Sequence, residues 1–200
     1  MKRAEKKTAT RDALIHTALT LFARHGYETT TVAQITQAVG VAKGTFFNYF
    51  ATKEDVLLQV GDSQYTWAVG QLDAIATGSG PLAPQVRALL IAMAGRLPFT
   101  PVLIRGMFQA ALAGAENGAA TSGAINAMRA ALVPVFRLGQ EQGEFTIRFT
   151  PQTLATLAVQ TYFGVLLDWS DTDGEEPLRQ RMTDSMDALF HGIATISPPA

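Results

Sequence analysis

Between Val41 and Leu57 the chain reads VAKGTFFNYFATKEDVL, and this stretch limits what the chain can fold into more than any other. Four aromatic rings, Phe46, Phe47, Tyr49 and Phe50, fall within five positions, beside Lys43, Thr45 and Asn48. A core segment would not carry that polar set, and a surface segment would not carry so many rings. Phe46 and Phe50 stand at i and i+4 and share a helix face, so they can anchor a short helix inward. Lys43, Gly44, Thr45, Phe47 and Asn48 are then left on its other faces. A helix with the same economy precedes it. Thr31-Val32-Ala33-Gln34 is a capping-box pattern, in which Thr31 and Gln34 satisfy each other's orphan amides. Val32, Ile35 and Val39 form the buried edge of that helix, and Gly40 ends it. Two short helices joined by a turn of about three residues containing glycine describe a helix-turn-helix, whose second helix enters the DNA major groove. In that setting Lys43 can approach guanine or phosphate, and Thr45 and Asn48 can hydrogen-bond base edges. Gly44 permits close approach of backbones, and Phe47 can lie against a thymine methyl group or the sugar wall.

Charge divides the chain at the same place. The formal net charge is −1, but residues 1–53 carry +5 and residues 54–200 carry −6. A small basic module attached to a larger acidic body suits an anionic partner. The basic tail Lys2, Arg3, Lys6 and Lys7 can lie along phosphates or reach into a minor groove, or serve as a solubilising tail. Hydrophobic residues make up 48% of the chain and charged residues 16%, a globular balance. No apolar run approaches the roughly 20 residues of a membrane span, and MKRAEKKTATRDALI lacks the apolar core of a signal peptide. With no cysteine there is no disulfide framework and no thiolate metal site, so a cytoplasmic protein is expected.

The rest of the chain reads as all-α. Thr10 is placed to cap a first helix, along which Leu14, Ala18, Leu21 and Phe22 follow on one face until His25-Gly26 stops it. A third helix is expected over 42–50. Thr52 caps a fourth, with Glu54 and Asp55 in its first turn, running to Thr77. Beyond Gly78-Ser79-Gly80-Pro81, helices are expected near 84–96, 101–114, 122–142, 151–170 and 175–195. Pro134 is expected to kink or split its helix. Phe145-Thr146-Ile147-Arg148-Phe149 alternates like a strand but has nothing to pair with, so it is assigned as a connector.

The run TTVAQITQAVGVAKGTFFNYFATKEDVL, residues 30–57, together with the helix Leu14 to Tyr27 and its F-A-R-H-G-Y segment, resembles the DNA-binding domain of TetR/AcrR-family transcriptional regulators. The resemblance implies an N-terminal three-helix DNA-binding domain with a helix-turn-helix (residues 1–53). It also implies a larger helical domain that binds a ligand and dimerises (residues 54–200). By the same resemblance Thr31 matches a helix-start residue placed near phosphate. Lys43, Gly44, Thr45, Phe47, Asn48 and Tyr49 belong to the recognition helix that meets DNA, and Lys53 matches a lysine that grips the backbone. Phe47 stands where the family usually has tyrosine, Tyr49 where histidine is common, and Ala33 where some relatives place an arginine. Operator sequence is therefore not transferable from any relative.

For the body, a pocket is expected between the fourth helix and those near 84–142. Trp67, Met93, Met107, Phe108 and Phe136 offer adaptable apolar surface, and Gln64, Arg96, Arg105 and Gln109 offer polar anchors; each apolar residue also has an ordinary reading as core. Low charge between 81 and 140 favours an apolar or amphipathic ligand. The family dimerises through its last two long helices. Here Leu154, Ala158, Thr161, Tyr162, Val165 and Trp169 form one apolar stripe, and Met182, Met186, Leu189 and Phe190 another. A single chain could also bury these internally. Phosphate-binding Gly-Lys loops, His-Glu-x-x-His and nucleophile elbows are missing, so neither an enzyme, a cofactor nor a metal site is expected. Asp171-Thr172-Asp173-Gly174 echoes a calcium loop whose later ligands fail. The resulting expectation is a homodimeric regulator, a repressor released from a palindromic operator on double-stranded DNA by a small-molecule effector. Its alternatives are an activator, a ligand-independent regulator, or a small-molecule-binding protein with a vestigial helix-turn-helix.

Overall fold

The computed structural model describes residues 3–96, 100–116, 121–172 and 175–193, with side chains described for 5–96, 100–109, 125–172 and 175–193. Its helices are α1 (Arg3–His25), α2 (Val32–Val39), α3 (Lys43–Phe47), α4 (Glu54–Thr77), α5 (Leu82–Gly95), α6 (Pro101–Glu116), α7 (Thr121–Glu141), α8 (Pro151–Asp171) and α9 (Leu178–Ile193). No described helix is long and apolar enough to cross a membrane. Of the basic tail, Lys2 and the side chain of Arg3 lie outside the described residues, as do Asp173 and Gly174 of the acidic turn.

Several helix ends differ from the expectation, each for a local reason. α1 begins at Arg3, not after Thr10. Ala4, Glu5, Lys6 and Lys7 are good helix formers, and Thr10 turns its hydroxyl back to donate to Lys6 O (2.9 Å) inside the helix. α3 stops at Phe47, because the backbone tightens there: Tyr49 N–H and Phe50 N–H both donate to Phe46 O (2.9 and 3.0 Å). Thr52 does act as a cap. Asp55 N–H donates to Thr52 Oγ1 (3.3 Å), and Thr52 N–H donates to Asp55 Oδ2 (2.9 Å). α7 runs through Pro134 without a break. Pro134 and Ala130, one turn before it, are both exposed, so the carbonyl that the proline leaves unpaired can face water.

Two apolar clusters organise the chain. The first gathers Leu14, Ala18 and Phe22 of α1, Tyr27, Ile35, Phe46, Phe50, and Val56 and Leu57 from the start of α4, and it also takes Leu103 from α6. The second fills the space among α4, α5, α7, α8 and α9. α4 packs on α1, α5, α6 and α7, and so spans both clusters. The 145–149 connector forms no strand, but an isolated bridge at Phe145 and Thr146 N–H donating to Ile193 O (2.8 Å) tie it to the end of α9. Phe145 is buried against Phe136 and Phe190 (ring centroids 4.9 and 6.1 Å), and Gln140 Nε2 donates to Thr146 O and Phe149 O. Beside it, Glu144 accepts Leu82 N–H and Ala83 N–H (2.9 Å each), capping α5, whose N-cap residue Pro81 makes no side-chain cap bond.

Candidate nucleic-acid interface and effector cavity

The helix-turn-helix is built from its caps upward. Gln34 N–H donates to Thr31 Oγ1 (3.3 Å) and Thr31 N–H donates to Gln34 Oε1 (2.7 Å), a complete capping box at the start of α2. Gly40 closes α2 in the left-handed region (φ +77°), with Val41 N–H donating to Thr36 O (3.0 Å), and this turns the chain into α3. Phe46 and Phe50 are buried, with rings 5.2 Å apart, while Lys43, Gly44, Phe47 and Asn48 are exposed and Thr45 and Tyr49 half-buried. Phe47 is 50% exposed, leaning edge-on against Phe46. A Cβ at Gly44 would meet no atom within 4 Å, so the backbone there is open to a close partner. Thr31 is exposed at the same end of the motif.

Lys53 lies elsewhere. Its Nζ donates to Tyr27 O (2.9 Å) and Glu28 O (3.3 Å) and stands 4.3 Å from the centre of the Tyr27 ring. The ammonium thus closes the negative end of α1 and the turn that follows it. Tyr27 is the hub of this corner. Its ring meets Phe22 edge-on (5.1 Å), and its buried hydroxyl, pushed up by burial and the nearby Glu54 carboxylate, falls short of a well-formed hydrogen bond. Burial opposes ionisation of Glu54, but the Tyr27 hydroxyl, its own backbone N–H, Thr52 and Lys53 outweigh it and hold the group below the usual carboxylate range.

In the body, a cavity of about 160 Å³ opens between α4, α6, α7 and α8. α4 supplies Leu57, Leu58, Gly61, Asp62, Gln64 and Tyr65; α6 supplies Ile104, Met107 and Phe108; α7 supplies Ile125; and α8 supplies Tyr162, Phe163 and Leu166. Of the residues expected to bind ligand, Gln64, Met107 and Phe108 meet here. Gln64 is committed, donating through Nε2 to Met93 O (2.6 Å) and meeting the Tyr162 hydroxyl. Trp67, Met93, Arg96 and Phe136 do not line the cavity. Arg96 stacks on the Trp67 ring (3.8 Å), Met93 is buried core, and Phe136 belongs to the aromatic group with Phe145 and Phe190. Arg105 reaches across to donate to Ser170 O and, with Gln109, borders a separate recess beside Tyr27. The rest of the cavity wall was not anticipated, although Leu58, Gly61, Asp62 and Tyr65 stand three or four apart on α4 and so share a face.

The expected dimer stripes are divided by the fold. Leu154, Ala158, Tyr162, Trp169, Met182, Met186 and Phe190 are buried inside their own chain and expose almost no surface to a second one. The reason is that α8 and α9 pack on each other and on α6, α7 and α5, which consumes their most apolar faces. Thr161, Val165 and Leu189 are half-buried, Gly164 is exposed, and Leu167, not anticipated, is 45% exposed.

Comparison with known proteins agrees with this arrangement. Residues 14–60 match the model of the bacterial regulatory proteins of the tetR family. The HTH-type transcriptional regulator TcmR of Streptomyces glaucescens is 55% identical over 56 residues, 28% of this chain but only a quarter (25%) of that protein's length. The repressor DhaR of Mycobacterium sp. strain GP1 is 27% identical over 96% of this chain and 98% of its own. Among solved structures, a complex of triclosan with SmeT superposes at TM-score 0.71 and 18% identity over 96% of each chain, SmeT being the repressor of the Stenotrophomonas maltophilia multidrug efflux pump SmeDEF. The match over the motif, the relative aligned along its whole length and the shared fold agree: residues 14–60 carry the DNA-binding domain of the tetR family of bacterial regulatory proteins, on a body with the fold of such regulators.

Proposed function

We propose that the chain is a cytoplasmic, homodimeric repressor that binds a two-fold operator through α3 and leaves it when a compact molecule enters the cavity. The observation that carries the DNA-reading part is the split within α3 and its turn: Phe46 and Phe50 are buried, while Lys43, Gly44, Phe47 and Asn48 project outward. In this reading Thr31 and Tyr49 approach phosphates, and Lys43, Thr45, Phe47 and Asn48 meet bases. Lys53 holds the corner between α1 and α2 in the orientation that presents them. A contact made through the Lys53 side chain to phosphate would require it to release Tyr27 O and Glu28 O.

The link between cavity and DNA runs through two residues. Leu57 lines the cavity and belongs to the apolar cluster under the helix-turn-helix, and Met107 packs against both clusters. A ligand that prefers a wider cavity shifts the population toward arrangements in which α6 and the start of α4 carry the two recognition helices off the half-site spacing. The triclosan complex of SmeT is a precedent for this fold holding a compact aromatic molecule. For dimerisation, the outer face of α8 through Thr161, Gly164 and Leu167 is one surface that the protomer's own core leaves uncovered.

Fluorescence anisotropy on DNA from directly upstream of the gene, against scrambled DNA, tests the reading. Tight, sequence-selective binding with two chains per site is expected. Gly61→Leu then tests the cavity. A Cβ at Gly61 would sit 3.7 Å from Met107 Cε and Tyr65 Cε2, ordinary contact, so a larger side chain projects into the space the ligand needs. The variant is expected to keep DNA binding and lose release by ligand. Sequence-blind DNA binding by the parent protein would overturn the repressor reading.

A further inference from the structure

The cavity contains one group that its apolar wall does not explain. Among its described lining residues Asp62 is the only one that carries a charge at neutral pH. Tyr65 and Tyr162, both buried, are held in their neutral forms by that burial, and Gln64 is occupied by Met93 O. The ion pairs among the described residues join Arg11 to Asp12, Arg87 to Asp187, and Arg181 to Asp168 and Glu176. Asp62 takes part in none of them. It is half-buried in the apolar wall of the cavity, and this loss of water raises its pKa, with no ion-pair partner among the described residues. A carboxylate placed this way costs free energy unless something supplies a donor or a positive charge.

The size of the space narrows what that can be. An apolar cavity of about 150 Å³ accepts a single benzene ring. This one, about 160 Å³ and partly open, suits one or two rings and not a long acyl chain with a large polar head. We propose that the effector is a compact cationic amphiphile, with a one- or two-ring apolar body seated between Met107, Phe108 and Phe163 and a protonated amine paired with Asp62. This rests on the reading of the cavity as the effector site and adds the chemical class that it selects. Pairing with a cation removes the cost of the buried carboxylate at the moment of binding, so charge contributes to affinity here in a way that it would not at an exposed site.

The test uses the full-length protein and three matched two-ring probes: 2-naphthylmethylamine, 2-naphthylmethanol and 2-naphthoic acid. Calorimetric titration at neutral pH is expected to rank them amine, alcohol, acid, with the amine roughly tenfold or more tighter than the alcohol. Asp62→Asn keeps the shape and removes the charge. It is expected to bind the alcohol as the parent does, which also reports that it is folded, and to lose the preference for the amine. Equal or tighter binding of the alcohol or acid by the parent protein overturns the proposal and leaves the cavity reading standing. So does an amine preference that survives in Asp62→Asn. Failure of all three probes to bind overturns the cavity reading, and the proposal with it.

Discussion

Lys53 and Phe46 show what a residue's place in the folded chain adds to its place in a motif. By position Lys53 matches a phosphate-gripping lysine, yet its ammonium is spent on Tyr27 O, Glu28 O and the Tyr27 ring. Lys53→Met keeps the apolar stem and removes those bonds. It should lower stability by about 1–2 kcal/mol, read as a shifted urea midpoint at unchanged m. The salt slope of DNA binding should stay as it is; a slope flattened by about one unit would return Lys53 to the phosphates. Phe46 and Phe47 are adjacent and opposite. Phe46→Ala opens a cavity in the N-terminal cluster and should cost about 3–5 kcal/mol, whereas Phe47→Ala should leave the melting curve nearly unchanged and weaken operator binding alone. That division was legible in the sequence, because the i, i+4 spacing of Phe46 and Phe50 fixes which ring goes inward. The fold-back of Lys53 was not, since its partners lie 25 and 26 residues away and no local pattern announces them. Asp62 adds a sign. Its folded pKa is raised, so its ionised form is the costly one; the cost is present above that pKa and absent below the unfolded value. Asp62→Asn should therefore raise the unfolding temperature at neutral pH, with the gain disappearing as the carboxylate becomes protonated in acid.

At the scale of elements, α6 is the joint. Ile104, Met107 and Phe108 face the cavity, while Leu103 sits in the N-terminal cluster and Gly106 lies against the α1–α2 corner. A Cβ at Gly106 would come within 3.2 Å of Tyr27 Cβ and Cγ and 3.5 Å of Leu57 Cδ1. Gly106→Ala should force the corner and α6 apart at an overpacking cost of about 1–3 kcal/mol. If α6 carries the response, operator affinity falls by that amount while binding of a cavity probe changes little; a matched loss of both would mean that the variant simply unfolds. This joint could not be read beforehand. Helical periodicity says that a face is apolar but not which neighbour covers it, so Met107 and Phe108 came to line the cavity while Phe136 and Met93, equally eligible, went to the core. The same limit divided α8, where Tyr162, expected between two chains, lines the cavity of one. Helix identity was legible nearly throughout, because the breakers Gly40, Gly78-Ser79-Gly80-Pro81 and Gly143 act locally. Helix ends were less so, where Thr10 or the short α3 answered to neighbours instead of to caps.

At the scale of the whole molecule, the charge division and the exposed face of α8 make one argument. A single helix-turn-helix offers a small footprint, and the +5 of residues 1–53 gives it attraction to any DNA without preference. Selectivity against the bulk of competing sequence comes from engaging two half-sites at once, which requires that two chains be held at fixed spacing by their bodies. Those bodies carry −6 each and repel one another, so the surface that joins them has to be apolar and closely fitted. In the proposed dimer that surface runs along α8 through Thr161, Gly164 and Leu167, where a Cβ at Gly164 would meet no neighbouring element within 4 Å and Leu167 is 45% exposed in the protomer. Leu167→Arg changes nothing in the protomer's core and should leave its cavity able to bind the probes. It should convert the dimer to monomer by size-exclusion with light scattering. Operator binding should fall to the level of scrambled DNA while keeping its dependence on salt. A variant that remains dimeric with full operator affinity would place the interface on another face of the body. One that becomes monomeric yet still selects its operator would show that α3 reads a half-site alone, and that release by ligand has to act within a single chain.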